Sequence, residues 1–277
     1  MTSKTTLQEA NVAGYSEVSE RRVSARTAAD LDGRLRSAHT GSLPCCVKDI
    51  GYSGACIETT SILATEDVRE LSLSVDCSTL ILDVRGCWQR YSAMEDAWLM
   101  GLRFTSLDSK CGDAVHELIR QARDDLARFL IESTEVGVLA PDAAFDIASA
   151  MRFRRLDAGR RMSLQPAGDS ESESWYIVFR GALVIETFGG SRAPARVELG
   201  VGDTFGGAAI VSRIEVASAA WAREDSALLE VSVASLEYLT NSKPEASRTI
   251  HQLIAESSIQ LLRSVMERRP SASSDAQ

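Results

Sequence analysis

The 277 residues carry 44% hydrophobic and 25% charged side chains, a length and composition that suit two globular domains of ordinary size, each burying its own core. A net charge of -9 argues against a surface that coats nucleic acid, because such binding needs basic groups to displace counterions. No apolar run approaches the ~20 residues that cross a bilayer. The polar start Met1-Thr2-Ser3-Lys4-Thr5-Thr6 lacks the apolar core of a secretory signal, so a cytoplasmic protein without membrane insertion is expected.

Residues 1–19 are polar, show little periodicity and read as a flexible lead-in. The next stretch holds Arg21-Arg22-Val23-Ser24-Ala25-Arg26 and, a strand and a turn later, Asp49-Ile50-Gly51-Tyr52-Ser53-Gly54. Arg22 and Arg26, four residues apart with Arg21 beside them, can aim several guanidinium forks at one multiply charged anion. A turn that starts with Asp49 and ends with Gly54 can close over it. This set contains no nucleophile, so its chemistry is binding. Short strand-like runs follow at 31–35, 45–50, 55–59, 71–75, 80–91 and 98–104, separated by turn residues. Leu71, Leu73 and Val75 share one face, as do Leu80, Leu82, Val84 and Gly86, and the pattern predicts a small antiparallel barrel. Asp108-Ser109 then caps a helix whose apolar positions Val115, Leu118, Ile119, Ala122, Leu126, Phe129 and Leu130 recur at spacings of three and four. That stripe suits packing on the barrel and the next domain, or a homodimer seam.

Arg22-x-x-x-Arg26, then Asp49-x-Gly51-x-x-Gly54, then Gly101-Leu102-Arg103-Phe104 before a helix, resemble the PilZ family of cyclic di-GMP receptors over about residues 20–125. Its pattern is Arg-x-x-x-Arg followed by Asp/Asn-x-Ser-x-x-Gly, and here Gly51 stands where serine is usual. The resemblance implies a PilZ domain at 20–132, built as a six-stranded antiparallel β-barrel with a C-terminal helix. It also implies cyclic di-GMP held by Arg21, Arg22, Arg26, Asp49, Gly51 and Gly54.

Residues 133–141, with Gly137 and Pro141, break the helical pattern and mark a linker. A short helix at 142–151 and strands at 153–156, 161–165, 175–179, 182–188, 195–199 and 227–231 follow, with glycine-containing turns between them. Asn241-Ser242-Lys243-Pro244 opens a last helix with Ile250, Leu253, Ile254, Leu261, Leu262 and Val265 on one side, either domain core or a homodimer contact. Residues 269–277 read as a flexible tail. Pro166-Ala167-Gly168-Asp169, the run from Trp175 through Gly181 to Val184, and Leu199-Gly200-Val201-Gly202-Asp203-Thr204-Phe205-Gly206 resemble a cyclic-nucleotide-binding domain. That likeness implies a cupin-like β jelly roll flanked by helices over 142–268. Its phosphate cassette is Phe-Gly-Glu with an arginine nine residues after the glutamate, the glutamate for the ribose and the arginine for the phosphate. This chain has Phe205-Gly206-Gly207 and, at the arginine position, Val216. The cassette of Gly206, Gly207, Ala208, Arg213 and Val216 is therefore expected to be degenerate, although the backbone amides of 206–209 could still point at an anion and Arg213, three residues early, could reach in. Losing charge-assisted hydrogen bonds of about 1.5–3 kcal/mol each makes cyclic AMP an unexpected ligand.

Six cysteines, Cys45, Cys46, Cys56, Cys77, Cys87 and Cys111, form no Cys-x-x-Cys pair and read as buried free thiols. His39, His116 and His251 are scattered, so neither a metal centre, a cofactor nor catalytic residues are expected, and the protein reads as no enzyme. The leading expectation is a cyclic di-GMP receptor that relays its ligand through the second domain to a protein partner. Two readings compete with it: a ligand-independent scaffold with two degenerate nucleotide domains, and a dual sensor of cyclic di-GMP and cyclic AMP.

Overall fold

The computed structural model describes residues 26–75, 78–92, 96–133, 139–164, 174–187, 195–207, 210 and 218–267. Strands β1 (Arg26–Ser37), β2 (Gly41–Gly51), β3 (Gly54–Thr59), β4 (Val68–Val75), β5 (Ser78–Ser92) and β6 (Ala97–Ser106) close a barrel in the order β1-β2-β3-β6-β5-β4. Every neighbouring pair is antiparallel. Each apolar run singled out in this half of the sequence lies in one of these strands. β1 closes the barrel because it is long enough to pair with both β2 and β4, so that Leu35 faces Leu43 on one side and Leu71 on the other. Register shifts between Ala28 and Leu31 and between Val47 and Asp49 bend the strands as closure requires. The interior is filled by Leu35, Val47, Ile50, Ile57, Leu71, Leu73, Leu82 and Met100, so the barrel is a packed core and not a pore.

Helix α1 (Ser109–Ser133) starts where the Asp108 carboxylate accepts the Cys111 N–H at 2.7 Å. Its apolar stripe is divided between two cores. Val115, Leu118 and Ile119 pack into the barrel, whereas Leu126, Ala127 and Leu130 pack into the second lobe. Twenty-five residues give a helix about 38 Å long, enough to reach both.

The second lobe contains α2 (Pro141–Ala148), β7 (Arg152–Leu156), β8 (Arg161–Ser163), β9 (Ser174–Arg180), β10 (Leu183–Thr187), β11 (Ala195–Leu199), β12 (Thr204–Phe205), β13 (Ser218–Ala222), β14 (Ser226–Ser232), α3 (Val233–Ser242) and α4 (Pro244–Glu267). The strands form two four-stranded sheets, β11-β10-β13-β8 and β12-β9-β14-β7. Tyr176 and Val178 of β9 point into the space between the sheets, beside Leu183, Ile185 and Leu228. Trp175 and Ile177 point the other way, into a core made with α1, α2 and α4. This double burial explains why β9 is apolar without alternation. The fold class is thus mainly β with flanking helices, a closed six-stranded antiparallel barrel followed by a jelly roll.

Several sequence expectations change. β12, β13 and α3 were not signalled: β13 is alanine-rich, a composition with weak strand preference. α3 is capped by Ser232, whose Oγ accepts the Ser235 N–H at 3.2 Å, and it ends with Asn241 and Ser242, which the sequence placed at the start of the last helix; that helix begins at Pro244. α2 ends at Ala148, short of residue 151. Cys45, Cys46 and Cys56 are buried, but Cys87 is exposed because it occupies the register shift between Gly86 and Trp88, and Cys111 is half-buried at the start of α1. Cys77 lies outside the described residues. Among the described residues no helix is long and apolar enough to cross a membrane.

The two lobes meet along β1. Ala28 belongs to the core shared with α1, α2 and α4. Two residues on, Asp30 accepts a hydrogen bond from Arg155 of β7 and lies 3.8 Å from Arg180 of β9, while Arg155 also reaches Asp32 at 3.0 Å. A second bridge joins Arg160 to Asp96 at 3.2 Å.

Candidate functional site

The barrel folds the two halves of the arginine motif against each other because β1 and β2 are antiparallel neighbours. Arg26, the first residue of β1, lies opposite Gly51, the last of β2, and Gly51 lies opposite Gly54, the first of β3. The Arg26 Nη1 donates to the Asp49 Oδ1 at 2.7 Å. The Asp49 side chain is only 6% exposed and that of Arg26 26%. A carboxylate so covered needs a cation beside it, since an unpaired buried charge costs several kcal/mol. Asp49 thereby fixes the guanidinium of Arg26 at the barrel edge. Arg21 and Arg22 lie outside the described residues.

Gly54 has a steric cause. A Cβ there would stand 2.0 Å from the Leu102 carbonyl oxygen, because β3 starts hard against β6, and the adjacent Ser53 carbonyl accepts the Phe104 N–H at 3.0 Å. The turn between Gly51 and Gly54 touches α1 at Tyr52, whose ring lies 5.3 Å from that of His116 while remaining 46% exposed. α1 also brings a cation that no local motif pointed to. Arg123 Nη2 donates to Thr27 Oγ1 at 3.3 Å, next to Arg26, and the buried Arg123 Nε has no hydrogen-bond partner among the described residues. A helix-borne arginine 97 residues from Arg26 can be found only by folding the chain.

At the jelly-roll cassette, Gly206 adopts φ 84°, in the left-handed region, and a Cβ there would meet the Ser174 carbonyl oxygen at 2.5 Å. At Gly207 a Cβ would lie 2.5 Å from Ile254 Cγ2 of α4 and 3.0 Å from Trp175 Cδ1. The position where the resembling family places its ribose-binding glutamate therefore has no room for a side chain. Ala208, Arg213 and Val216 lie outside the described residues. Beside this position the Trp175 Nε1 is buried with no hydrogen-bond partner among the described residues. Below it, Tyr176 stacks on Phe205 at 5.0 Å and accepts from Arg154 Nη1 at 3.1 Å, with burial pushing its hydroxyl pKa up. A recess of about 230 Å³ between α3 and α4, lined by Leu236, Thr240, Asn241 and His251 among others, includes none of the motif residues.

Barrel, bridging helix and jelly roll define a mainly β protein of two lobes. No protein family and no curated protein matches its sequence. Among solved structures it is similar to a cyclic nucleotide-binding domain from Methylobacillus flagellatus, at 11% identity over 57% of this chain and 88% of that one, with a TM-score of 0.47. The regulatory domain of Toxoplasma gondii PKA, crystallised with cAMP, is similar at 16% identity over 84% of this chain and 81% of that one, with a TM-score of 0.44. The catabolite activator protein of Thermus thermophilus is similar at 23% identity over 50% of this chain and 58% of that one, with a TM-score of 0.36. Similarity at this level assigns no ligand to this chain.

Proposed function

We propose that this protein is a receptor for cyclic di-GMP, of the PilZ type, that transmits ligand capture from the barrel to the jelly roll and so alters its contact with a protein partner. The observation that carries this reading is the Arg26–Asp49 ion pair at the Gly51/Gly54 turn. Phosphate charge of the ligand is neutralised by Arg26 together with Arg21 and Arg22 of the same motif, and a carboxylate such as Asp49 suits the donor edge of a guanine.

Transmission runs along β1. Within five residues that strand carries Arg26 at the site, Ala28 in the core of the second lobe and Asp30 under Arg155 and Arg180. A ligand that shifts the Arg26 end of β1 therefore loads the contacts by which the jelly roll grips the barrel. The filled space at Gly207 supports a jelly roll that acts through protein contacts and takes no cyclic AMP. The same closure is the observation that favours the competing reading, a scaffold without any ligand.

Calorimetry on the full chain with cyclic di-GMP tests the proposal. Each charge-assisted hydrogen bond of about 1.5–3 kcal/mol removed by Arg26→Ala weakens binding about 10- to 100-fold. Absence of heat at tens of micromolar, or wild-type affinity in Arg26→Ala, would favour the scaffold instead.

A further inference from the structure

The ladder that begins at Arg26 continues across five strands. Arg26 lies opposite Gly51, Gly51 opposite Gly54, Gly54 opposite Arg103, and Arg103 opposite Arg85. Cross-strand partners project to one face of a sheet. Here that face is the outside of the barrel, because the next row, Thr27, Ile50, Ala55 and Leu102, is buried in the interior. Arg85 and Arg103 are exposed, and no ion pair among the described residues includes either one. Asp83, two positions along β5, is not within ion-pair distance of them. Two cations directly opposite each other on adjacent strands destabilise an empty sheet. An anion between them reverses the sign of that interaction.

The two positions that separate Arg103 from Arg26 are both glycine, so no side chain stands between the two cationic ends of the row. Three strand spacings of about 4.8 Å put Arg26 and Arg103 about 14 Å apart along the sheet. Along β6 the next outward position is Gly101, where a Cβ would lie 2.2 Å from Trp88 Nε1, so an indole lies flat on the strand beside the arginine pair. All this sits on a protein of net charge -9, where Arg85 and Arg103, without an ion-pair partner among the described residues, concentrate positive field.

Resting on the reading of the barrel as a cyclic di-GMP receptor, we propose that Arg85 and Arg103 form a second phosphate clamp of the same site. A cyclic dinucleotide lies over the Gly51–Gly54 step, with one phosphate toward Arg26 and the other between Arg103 and Arg85. The spacing selects a ligand with two phosphates, because a cyclic mononucleotide satisfies one clamp and leaves the other empty.

The test is calorimetry of the full chain with cyclic di-GMP, in parallel with thermal melting, on wild type, Arg26→Ala, Arg103→Ala, Arg85→Ala and Arg103→Lys. Arg103→Ala and Arg85→Ala should each weaken binding about tenfold or more, with Arg103→Lys between them and wild type. Their melting temperatures should stay level or rise, because each substitution relieves the like-charge pair. That opposition of sign is one a merely structural role does not produce. Normal affinity in both alanine variants, with Arg26→Ala impaired, would overturn the second clamp and leave the receptor reading standing. Loss of affinity together with a lower melting temperature would also overturn it, by making the arginines structural. A wild-type protein that binds no cyclic di-GMP would overturn both readings together.

Discussion

Replacing Gly207 with alanine tests whether the jelly roll has closed over the place where a nucleotide would sit. The added methyl carbon would stand 2.5 Å from Ile254 Cγ2, 3.0 Å from Trp175 Cδ1 and 3.3 Å from Ser258 Oγ. Carbon atoms in good contact lie at about 3.5–4.0 Å, so α4 must retreat by about 1 Å or Trp175 must leave its rotamer. Both Ile254 and Trp175 are buried, and neither can move into solvent. The backbone at Gly207 is not in the left-handed region, so the penalty is steric only. One extra methyl in a filled core costs about 1–3 kcal/mol. At about 2–4 °C per kcal/mol for a protein of this size, the melting temperature should fall by about 2–12 °C in a circular-dichroism melt. Gly112→Ala provides the control: in α1, with nothing within 4 Å of the new methyl group, it should raise the melting temperature, since alanine is the better helix former. A Gly207→Ala protein as stable as wild type would refute the packing of α4 on this position, and with it the support that packing lends to the proposal that the jelly roll takes no cyclic AMP.

Two further outcomes probe the lobe contact and the burial of the thiols. Asp30→Ala should lower stability to urea by about 1–3 kcal/mol, because Asp30 is 12% exposed and holds both Arg155 and Arg180, whereas Asp32→Ala, at 81% exposed, should be nearly silent; equal losses would contradict the assignment of Asp30 as the anchor. Native protein treated with a thiol-reactive disulfide at pH 8 should lose one fast-reacting equivalent on Cys87→Ser and none on Cys45→Ser or Cys46→Ser, since burial pushes both of these thiols up to about 12. Fast labelling that depends on Cys46 would place that strand outside the barrel.

What was legible in the sequence followed from local spacing. Alternation in β4 and β5, the Asp108 cap of α1 and the two glycines of the Asp49 turn all act within a few residues of themselves, so chain order suffices to read them. That Arg85 and Arg103 fall in one cross-strand row with Arg26, and that Arg123 reaches Thr27, was not legible, because these relations depend on register and on the seating of α1. A one-residue slip would turn Arg103 inward and Leu102 outward. The register passes through shifts at Ala28/Leu31, Val47/Asp49 and Gly86/Trp88, none of which has a signature in composition. At Gly207 the sequence showed a glycine where the resembling pattern has glutamate. That α4 packs against this position required knowing where Ile254 falls.

The division of α1 between two cores bears on how this molecule can be taken apart. A fragment ending at Ser133 would keep the whole barrel, yet it would carry Leu126, Ala127 and Leu130 bare, along with Ala28 on β1. Such a fragment presents a greasy stripe to solvent and invites self-association. The complementary fragment would lack the helix that covers Trp175 and Ile177. Barrel and jelly roll are thus two folds sharing one set of walls, and they should melt in a single transition. Any separate affinity measured on half of the chain belongs to a molecule whose bridging helix has lost its second seat.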